Sequence, residues 1–370
     1  LPNVMLLIIL GILCGPIFHV FDVDSLGTVV PFIAPLAIAF IGFNSGMQMN
    51  ISDVMAQSGR AILLSILGFL ISTILVGIFL HFTFNLRWAY SLLLSSAWGG
   101  VSTATVTAVC KHLKVSERTH TTLTMSSIID DLIVMVSALT ILNYILLGGM
   151  NVYDISLALM ENVSISFFIG VIIGIAWLNV LWFSRRGDYT YTFTLAAILL
   201  VYSITEMLGG TGGIAIFLFG LVLGNSEAMA KFFRMKVDLL KMTELKTLMG
   251  KFHSELTFML STFFFVFIGL FYVYTGILTL FLGLIISFLL HAARFVGVKI
   301  STWRSSLASD LPAIGLIVGK GAAAAALSAL PLAYSLPQAD LLSSIALNVI
   351  LLTNILSILL PVLLFKLSRK

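Results

Sequence analysis

The chain of 370 residues is strongly apolar: 59% of its residues are hydrophobic, only 10% are charged, and the mean hydropathy is +1.11. This composition excludes a soluble globular core and indicates a protein that crosses a membrane many times. The two cysteines, Cys14 and Cys110, both fall within apolar runs, which indicates neither a disulfide framework nor a metal centre.

Twelve apolar runs are predicted to cross the bilayer as helices. In chain order they cover about residues 4–21, 28–48, 60–82, 88–110, 121–147, 155–183, 189–207, 211–224, 254–275, 277–298, 311–331 and 341–365. The longest connection, residues 225–253, carries six lysine or arginine residues. Apolar residues at helical spacing within it fit either a segment on the membrane surface or a solvated helix.

Basic residues are concentrated in the loops on one side of this arrangement. The loops on the opposite side contain aspartates, and Arg87 is their only base. The positive-inside rule therefore predicts that both ends of this chain, including the C-terminus, lie in the cytoplasm. We expect a multi-pass protein of the cell inner (plasma) membrane.

Two adjacent aspartates, Asp130 and Asp131, lie near the middle of the fifth predicted span. One aspartate at the centre of a membrane helix costs roughly 3 kcal/mol, so an adjacent pair indicates function. Each has a serine four residues before it, Ser126 and Ser127, on its own helix face. This polar stripe predicts a cation or proton site that faces a wet cavity. Carboxylates held in structural hydrogen bonds are the alternative.

Glycines interrupt two spans in matching ways, at Gly99 and Gly100 in the fourth and at Gly319 and Gly321 in the eleventh. Each is the middle member of a triplet of spans, and the second triplet runs inverted relative to the first. Paired breaks in two inverted halves indicate the binding site of a secondary transporter, whereas each break alone fits close helix packing equally well. We expect the segment at Ser102 and Thr103 to be unwound and to supply oxygen ligands.

Lys320, between the two glycines of the eleventh span, is the one base that the pattern places deep within a span. A buried ammonium loses its proton or needs a partner, and Asp130 is the candidate partner. The alternative is a lysine whose long side chain reaches the membrane interface.

Six stretches carry a resemblance to a known family. They are residues 99–104 (GGVSTA), 113–117 (LKVSE) leading to Asp131, 209–212 (GGTG), 219–225 (FGLVLGN), 252–255 (FHSE) running into 262–266 (TFFFV), and 319–324 (GKGAAA). Their identity and order resemble the monovalent cation/proton antiporter superfamily, in particular the prokaryotic NhaP-type sodium/proton antiporters.

The resemblance implies a homodimer of thirteen-helix subunits, with inverted repeats, two crossed discontinuous helices and elevator-like alternating access. Twelve spans suggest that the first of the thirteen helices is missing ahead of Leu1. Carried onto this chain, the mobile core covers residues 51–150 and 276–370, and the scaffold and dimerisation helices cover 1–50 and 151–275. The implied ion ligands are the Asp131 carboxylate, the Ser127 hydroxyl and a backbone carbonyl near Val101.

Several positions depart from the NhaP pattern. The NhaP type usually has Asn at Asp130, often Glu at Ser126 and near Asn44, and Arg at Lys320. Paired aspartates resemble the other branch of the superfamily, whose members are electrogenic. The departures leave the stoichiometry and the preferred cation open.

We interpret the chain as a secondary antiporter, not an enzyme, that exchanges protons for Na⁺, with Li⁺ and K⁺ as alternatives. Oxygen ligands suit hard alkali cations, which are cargo here rather than a cofactor. No nucleic acid partner is expected. The ion or proton would be bound by Asp131, Asp130, Ser127, Val101, Ser102 and Thr103, with Lys320 as compensating charge.

Rival interpretations remain. A potassium/proton antiporter, a sodium-coupled symporter and a channel all fit the same architecture. A dual-aspartate membrane enzyme needs two carboxylates that share one proton at about 3 Å, whereas neighbouring helix positions diverge.

Stoichiometry depends on which groups titrate. If only Asp131 takes a proton, exchange is one-for-one and electroneutral. If Lys320 also changes protonation, a second proton moves and exchange is electrogenic. Lysine can lose its proton where arginine stays charged, which favours the electrogenic scheme.

Overall fold

The computed structural model describes residues 3–20, 30–49, 59–113, 115–146, 148, 152–183, 190–232, 277–303 and 305–367, together with nine positions between 255 and 270. Every regular element among these residues is a helix, which confirms the predicted all-helical class.

The α-helices of the described residues follow in chain order. They are α1 (Asn3–Ile12), α2 (Val30–Gln48), α3 (Gly59–Phe84), α4 (Trp88–Ala97), α5 (Thr103–Leu113), α6 (Glu117–Leu146), α7 (Val152–Phe183), α8 (Thr190–Met207), α9 (Gly212–Gly224), α10 (Ser226–Phe232), α11 (Ile277–Ser301), α12 (Leu311–Ile314), α13 (Ala322–Ser328), α14 (Leu330–Ala333) and α15 (Ala339–Leu367). A π-helical turn, Leu13–Ile17, follows α1, and a 3-10 turn, Ser306–Asp310, precedes α12.

Five of these helices are long and apolar enough to cross a membrane: α3, α6, α11 and the larger parts of α7 and α15. Shorter apolar helices, including α8 and α9, overlap further predicted spans but are shorter than those five. The count of twelve stays a prediction. The predicted span at 254–275 and most of the basic connection lie outside the described helices, and of that connection the structure describes α10.

Local chemistry explains two helix boundaries that hydropathy misplaced. α1 ends at Ile12 and is followed by the π-helical turn, which contains Pro16. Proline has no amide hydrogen for a regular α-helical bond. α6 begins at Glu117 rather than 121, because the Ser116 hydroxyl accepts a hydrogen bond from the Thr119 amide at 3.3 Å and caps the helix.

The chain forms two compact units. The first comprises Leu1–Ala34, Met55–Ile145 and Thr262–Lys370, and the second comprises Pro35–Val54 and Leu146–Ser261. The predicted division into a mobile core and a dimerisation scaffold concerns motion and pairing rather than packing within one chain, and it stays a prediction.

In the first unit, α3 packs against α4 and α11, and α11 packs against α15. Two glycines bring α3 and α11 close together, because a Cβ at Gly297 would lie 3.2 Å from the Gly68 Cα. Gly68 also makes room for a buried cation: a Cβ there would lie 3.1 Å from Nη1 of Arg294.

The second unit is organised around α9, whose residues are almost all buried. It packs on α7 and α8 and contributes Ile216 and Phe219 to an apolar cluster with Phe43 and Ile198. At the start of α9, the Thr211 amide donates to the Ser166 hydroxyl at 2.7 Å, which gives an end of the buried helix a polar partner.

Candidate functional site

Two helices of the first unit are interrupted, both where the glycine pattern predicts a break. α4 ends at Ala97 and α5 begins at Thr103, whereas α12 ends at Ile314 and α13 begins at Ala322. We call residues 98–102 the first break and residues 315–321 the second break. The amide of Ser102 donates to the carbonyl oxygen of Gly319 at 2.9 Å, so the backbones of the two breaks are bonded to each other.

Glycine is required at the breaks because neighbouring side chains leave no room for a Cβ. A Cβ at Gly100 would lie 2.8 Å from a Val134 methyl and 3.1 Å from the Asp130 Cβ. A Cβ at Gly319 would lie 2.6 Å from the Thr105 hydroxyl and 2.8 Å from Oδ1 of Asn354. The close approach of these two backbones to polar side chains therefore depends on glycine.

Substitution of Gly319 by alanine is expected to destabilise the protein by about 1–3 kcal/mol, because the added methyl must displace backbone or two buried polar groups. Thermal unfolding in detergent measures the effect. The matched control is Gly59→Ala at the start of α3, where a Cβ meets nothing within 4 Å. Equal melting temperatures for the two variants would contradict the packing at the second break.

Asp130 is buried beside the first break, with 1% of its surface exposed. Its Oδ2 accepts a hydrogen bond from the Val101 amide at 3.2 Å and lies 3.6 Å from Nη1 of Arg294, which is 3% exposed. Among the described residues, Oδ1 of Asp130 and two nitrogens of Arg294, Nε and Nη2, have no hydrogen-bond partner. Asp130 therefore forms an ion pair with Arg294 and also accepts a hydrogen bond from the backbone of the first break.

Lys320 is also buried, but it does not pair directly with Asp130. Its Nζ donates to the carbonyl oxygen of Gly100 at 2.6 Å, so the lysine of the second break bonds to the backbone of the first. The predicted Asp130–Lys320 pair is replaced by an Asp130–Arg294 pair. Lys320 is not the only base buried within a span, because the predicted span 277–298 contains Arg294. A cation inside an otherwise apolar run was the sequence signal for it.

Of the other predicted ligands, Val101 and Ser102 belong to the first break, and Ser127 contacts Thr103, the first residue after it. The Ser127 hydroxyl lies 2.9 Å from the Thr103 hydroxyl and 2.8 Å from the Thr124 carbonyl. Val101 and Ser102 are buried. Asp131 follows Asp130 on α6, and its side chain is partly buried.

Ser126 has a packing role. Its hydroxyl lies 3.0 Å from the Ser65 hydroxyl, which also donates to the Ser126 carbonyl at 2.9 Å. These hydrogen bonds join α3 to α6 one turn before the aspartates.

Two side chains of α15, which the sequence did not single out as site residues, hold the second break. Nδ2 of Asn354 donates to the Lys320 carbonyl at 3.0 Å, and its Oδ1 accepts from the Thr105 hydroxyl at 3.3 Å. The Ser357 hydroxyl accepts from the Val318 amide at 2.9 Å. Side chains thereby satisfy two of the backbone groups freed in the break, the Lys320 carbonyl and the Val318 amide, as an apolar surrounding requires.

The chemistry available at the breaks is that of oxygen ligands. Carboxylate, hydroxyl and backbone carbonyl oxygens come together there, and these are the donors that hard cations prefer. Within the described residues no group of three or more His, Cys, Asp or Glu is placed to hold a metal ion.

This architecture is that of a secondary transporter family. The family model described as sodium/hydrogen exchanger, transmembrane, matches residues 1–366. The chain therefore belongs to the sodium/hydrogen exchanger family, which confirms the resemblance inferred from its motifs.

Two named antiporters are similar to part of the chain. The chain is 28% identical over 240 residues to the K(+)/H(+) antiporter NhaP2 of Shewanella baltica, covering 62% of this chain and 41% of that protein. It is 22% identical over 281 residues to the Na(+)/H(+) antiporter 1 of Methanocaldococcus jannaschii, covering 73% and 62%. The matched segment thus spans less than half the length of NhaP2.

A solved structure has the same fold. The structure of the sodium proton antiporter MjNhaP1 from Methanocaldococcus jannaschii at pH 8 aligns with a TM-score of 0.79 at 20% identity, covering 98% of this chain and 92% of that one.

Proposed function

We propose that this protein exchanges protons for a monovalent cation, Na⁺ or K⁺, at the contact of the two breaks. The observation that carries the proposal is the backbone bond from Ser102 to Gly319 beside the buried Asp130 and Lys320. Two interrupted helices whose breaks are bonded to each other favour the crossed, discontinuous arrangement expected of the family.

Asp131 is proposed as the carrier of both the proton and the cation. The Ser127 and Thr103 hydroxyls, 2.9 Å apart, provide neighbouring oxygens on α6 and at the start of α5. The backbone carbonyl of Val101, between α4 and α5, provides a further oxygen, whereas the Ser102 carbonyl already accepts from the Val106 amide at 3.0 Å. A carboxylate that binds either a proton or a cation couples the two gradients, because the ligands compete for one site.

Asp130 is proposed to stabilise the site rather than to carry ions. Its bonds to Arg294 and to the Val101 amide occupy Oδ2 and offset its charge. The same bonds argue against the dual-aspartate enzyme, since that chemistry requires two carboxylates sharing one proton.

A transport assay tests the proposed exchange and identifies the cation. Purified protein in acid-loaded proteoliposomes should alkalinise the lumen when Na⁺, K⁺ or Li⁺ is added outside, and choline should have no effect. Uptake of labelled cation without proton movement would identify a channel, and proton movement in the same direction as the cation would identify a symporter. No change in luminal pH with any of the three cations would contradict the proposal.

The domain assignment extends the proposal. We infer elevator-type movement of a core (51–150 and 276–370) against a scaffold (1–50 and 151–275) that pairs two subunits in the cell membrane, with a cytoplasmic C-terminus. Disulfide cross-linking through engineered cysteines tests it. Dimers trapped only through core helices would contradict this assembly.

Wild-type exchange is expected to respond to an imposed membrane potential at zero pH gradient, and Lys320→Arg is expected to respond less. Asp130 and Arg294 offset each other, which leaves Asp131 and Lys320 as the charged groups of the site whose proton could be exchanged during transport. Lysine can release a proton during the cycle and arginine cannot. Lys299→Arg, at an exposed position near the end of α11, is the control. A wild-type rate indifferent to potential would establish one-for-one exchange.

A further inference from the structure

A buried histidine adjoins the second break and has no part in the exchange scheme above. His291 lies in α11, one turn before Arg294, and is 2% exposed. Its Nδ1 lies 2.7 Å from the Ser287 carbonyl, and its Nε2 lies 3.4 Å from the Ser357 hydroxyl. The Ser357 hydroxyl is also the group that accepts a hydrogen bond from the Val318 amide of the second break.

The partners of the ring define its protonation state. A carbonyl only accepts hydrogen bonds, so Nδ1 facing Ser287 must carry the hydrogen. In the neutral ring, Nε2 is then an acceptor and receives the hydroxyl proton of Ser357. The oxygen of Ser357 keeps its lone pairs for the Val318 amide. The bonds thus run in one direction, from the backbone of the second break through Ser357 to His291.

We propose that neutral His291 is a positioning residue that holds the second break through Ser357, and that a proton on its ring loosens the break and slows exchange. The inference rests on the proposed function. It adds to the site a proton-sensitive group that is separate from the carrier Asp131.

Protonation would reverse one bond of this chain. Both ring nitrogens of a charged histidine are donors, so Ser357 would face two donors, Nε2 and the Val318 amide. Its own proton would then turn to another acceptor, and a serine in a helix can reach the carbonyl four residues earlier. A hydroxyl oxygen has two lone pairs, so Ser357 would have to accept from Nε2 and from the Val318 amide at the same time, and the bond that holds the second break would be shared and weakened rather than lost.

The charged groups near His291 determine what a proton on its ring would interact with. Lys320 in the second break interacts with the ring and has the same sign as an imidazolium. Arg294 lies on the same helix, and its charge is offset by Asp130 of α6. The helices α3 and α15, which pack against α11, have titratable side chains only in their terminal turns: Arg60, His81, Asp340 and Lys366. A charged ring would therefore be buried away from water and would also be repelled by Lys320 of the second break.

Kinetics separate this proton from the transported one. A proton on Asp131 competes with the cation, so it raises the KM for the cation and is overcome at saturating concentration. A proton on His291 does not compete and lowers kcat. In proteoliposomes, wild-type kcat is expected to fall several-fold towards acidic pH. In His291→Gln, kcat should be nearly independent of pH, while the rise in KM persists.

The matched control is His81→Gln. His81 also places Nδ1 at hydrogen-bond distance from a carbonyl, 2.6 Å from Leu86, but it lies in the last turn of α3, beside Trp88. The pH dependence of kcat in His81→Gln should superpose on the wild-type curve. A His291→Gln profile that also superposes on wild type would overturn the proposal. Absence of any cation-dependent flux in wild type would instead refute the proposed function.

A second measurement applies if His291→Gln does not fold. Ser357→Ala should lower kcat at all pH values and remove its acid dependence, and Ser357→Thr, which keeps the hydroxyl, should restore both. Hydrogen–deuterium exchange of the wild-type peptide covering residues 315–321 should show weaker protection at acidic pH, after correction for intrinsic exchange. Protection independent of pH would overturn the proposal.

Discussion

Asp131→Asn is expected to reduce cation-dependent proton flux to the background of empty liposomes. Asparagine has nearly the same shape but neither binds a proton in this pH range nor balances the charge of a cation. The coupled exchange therefore loses the group for which the two ligands compete. Flux is measured by a pH-sensitive dye in the lumen, with Na⁺ and K⁺ tested separately.

The variant should remain folded, because asparagine occupies the same volume and Asp131 is only partly buried. Size-exclusion profile and melting temperature check this. Asp310→Asn is a suitable control: Asp310 accepts from the Thr119 hydroxyl at 2.6 Å outside the two breaks, and exchange should survive its loss. Retained flux in Asp131→Asn would remove Asp131 from the mechanism.

Arg294→Gln is expected to destabilise the protein by about 3–5 kcal/mol, because it leaves the buried carboxylate of Asp130 without its cation. Asp130→Asn should cost a similar amount, since it leaves a buried guanidinium uncompensated. Both side chains are at most 3% exposed, so solvent screening does not reduce the effect. Melting temperatures in detergent provide the measurement.

The double variant, Asp130→Asn with Arg294→Gln, distinguishes coupling from general disruption. Removing both charges together avoids the unpaired ion, so the double variant should be more stable than either single variant. Arg87→Ala, an exposed arginine next to α4, should change stability by no more than about 0.5 kcal/mol. Additive losses in the double variant would show that the pair does not couple.

The breaks could be predicted because they are encoded locally. Glycine pairs within apolar runs mark where a helix is interrupted, and the structure has its breaks there. The position of Asp130 and Asp131 within an apolar helix follows from the same local pattern. The ordering of the motifs along the chain was sufficient to identify the family.

The partners of the charged groups were not predictable in the same way. Whether Asp130 meets Lys320 or Arg294 depends on how long side chains cross between helices far apart in sequence. Gly68 is part of the reason for the outcome, because its missing side chain admits the guanidinium of Arg294 between α3 and α11. The roles of Asn354 and Ser357 are not predictable from the sequence for a related reason. An amide or hydroxyl in a membrane helix most often bonds to a neighbouring helix, and here each bonds to the backbone of an interrupted one.

The bond from Lys320 to Gly100 joins residues that are 220 positions apart, and this separation has a consequence for biogenesis. A membrane protein is synthesised from its N-terminus, so the first break and both aspartates enter the bilayer before either buried base has been translated. Until α11 and the second break arrive, the nascent chain holds two acids, each at a cost of roughly 3 kcal/mol, with neither cation present. Completion of the ion site therefore requires completion of translation, and a fragment that ends before α11 lacks the Arg294 charge that offsets its own Asp130.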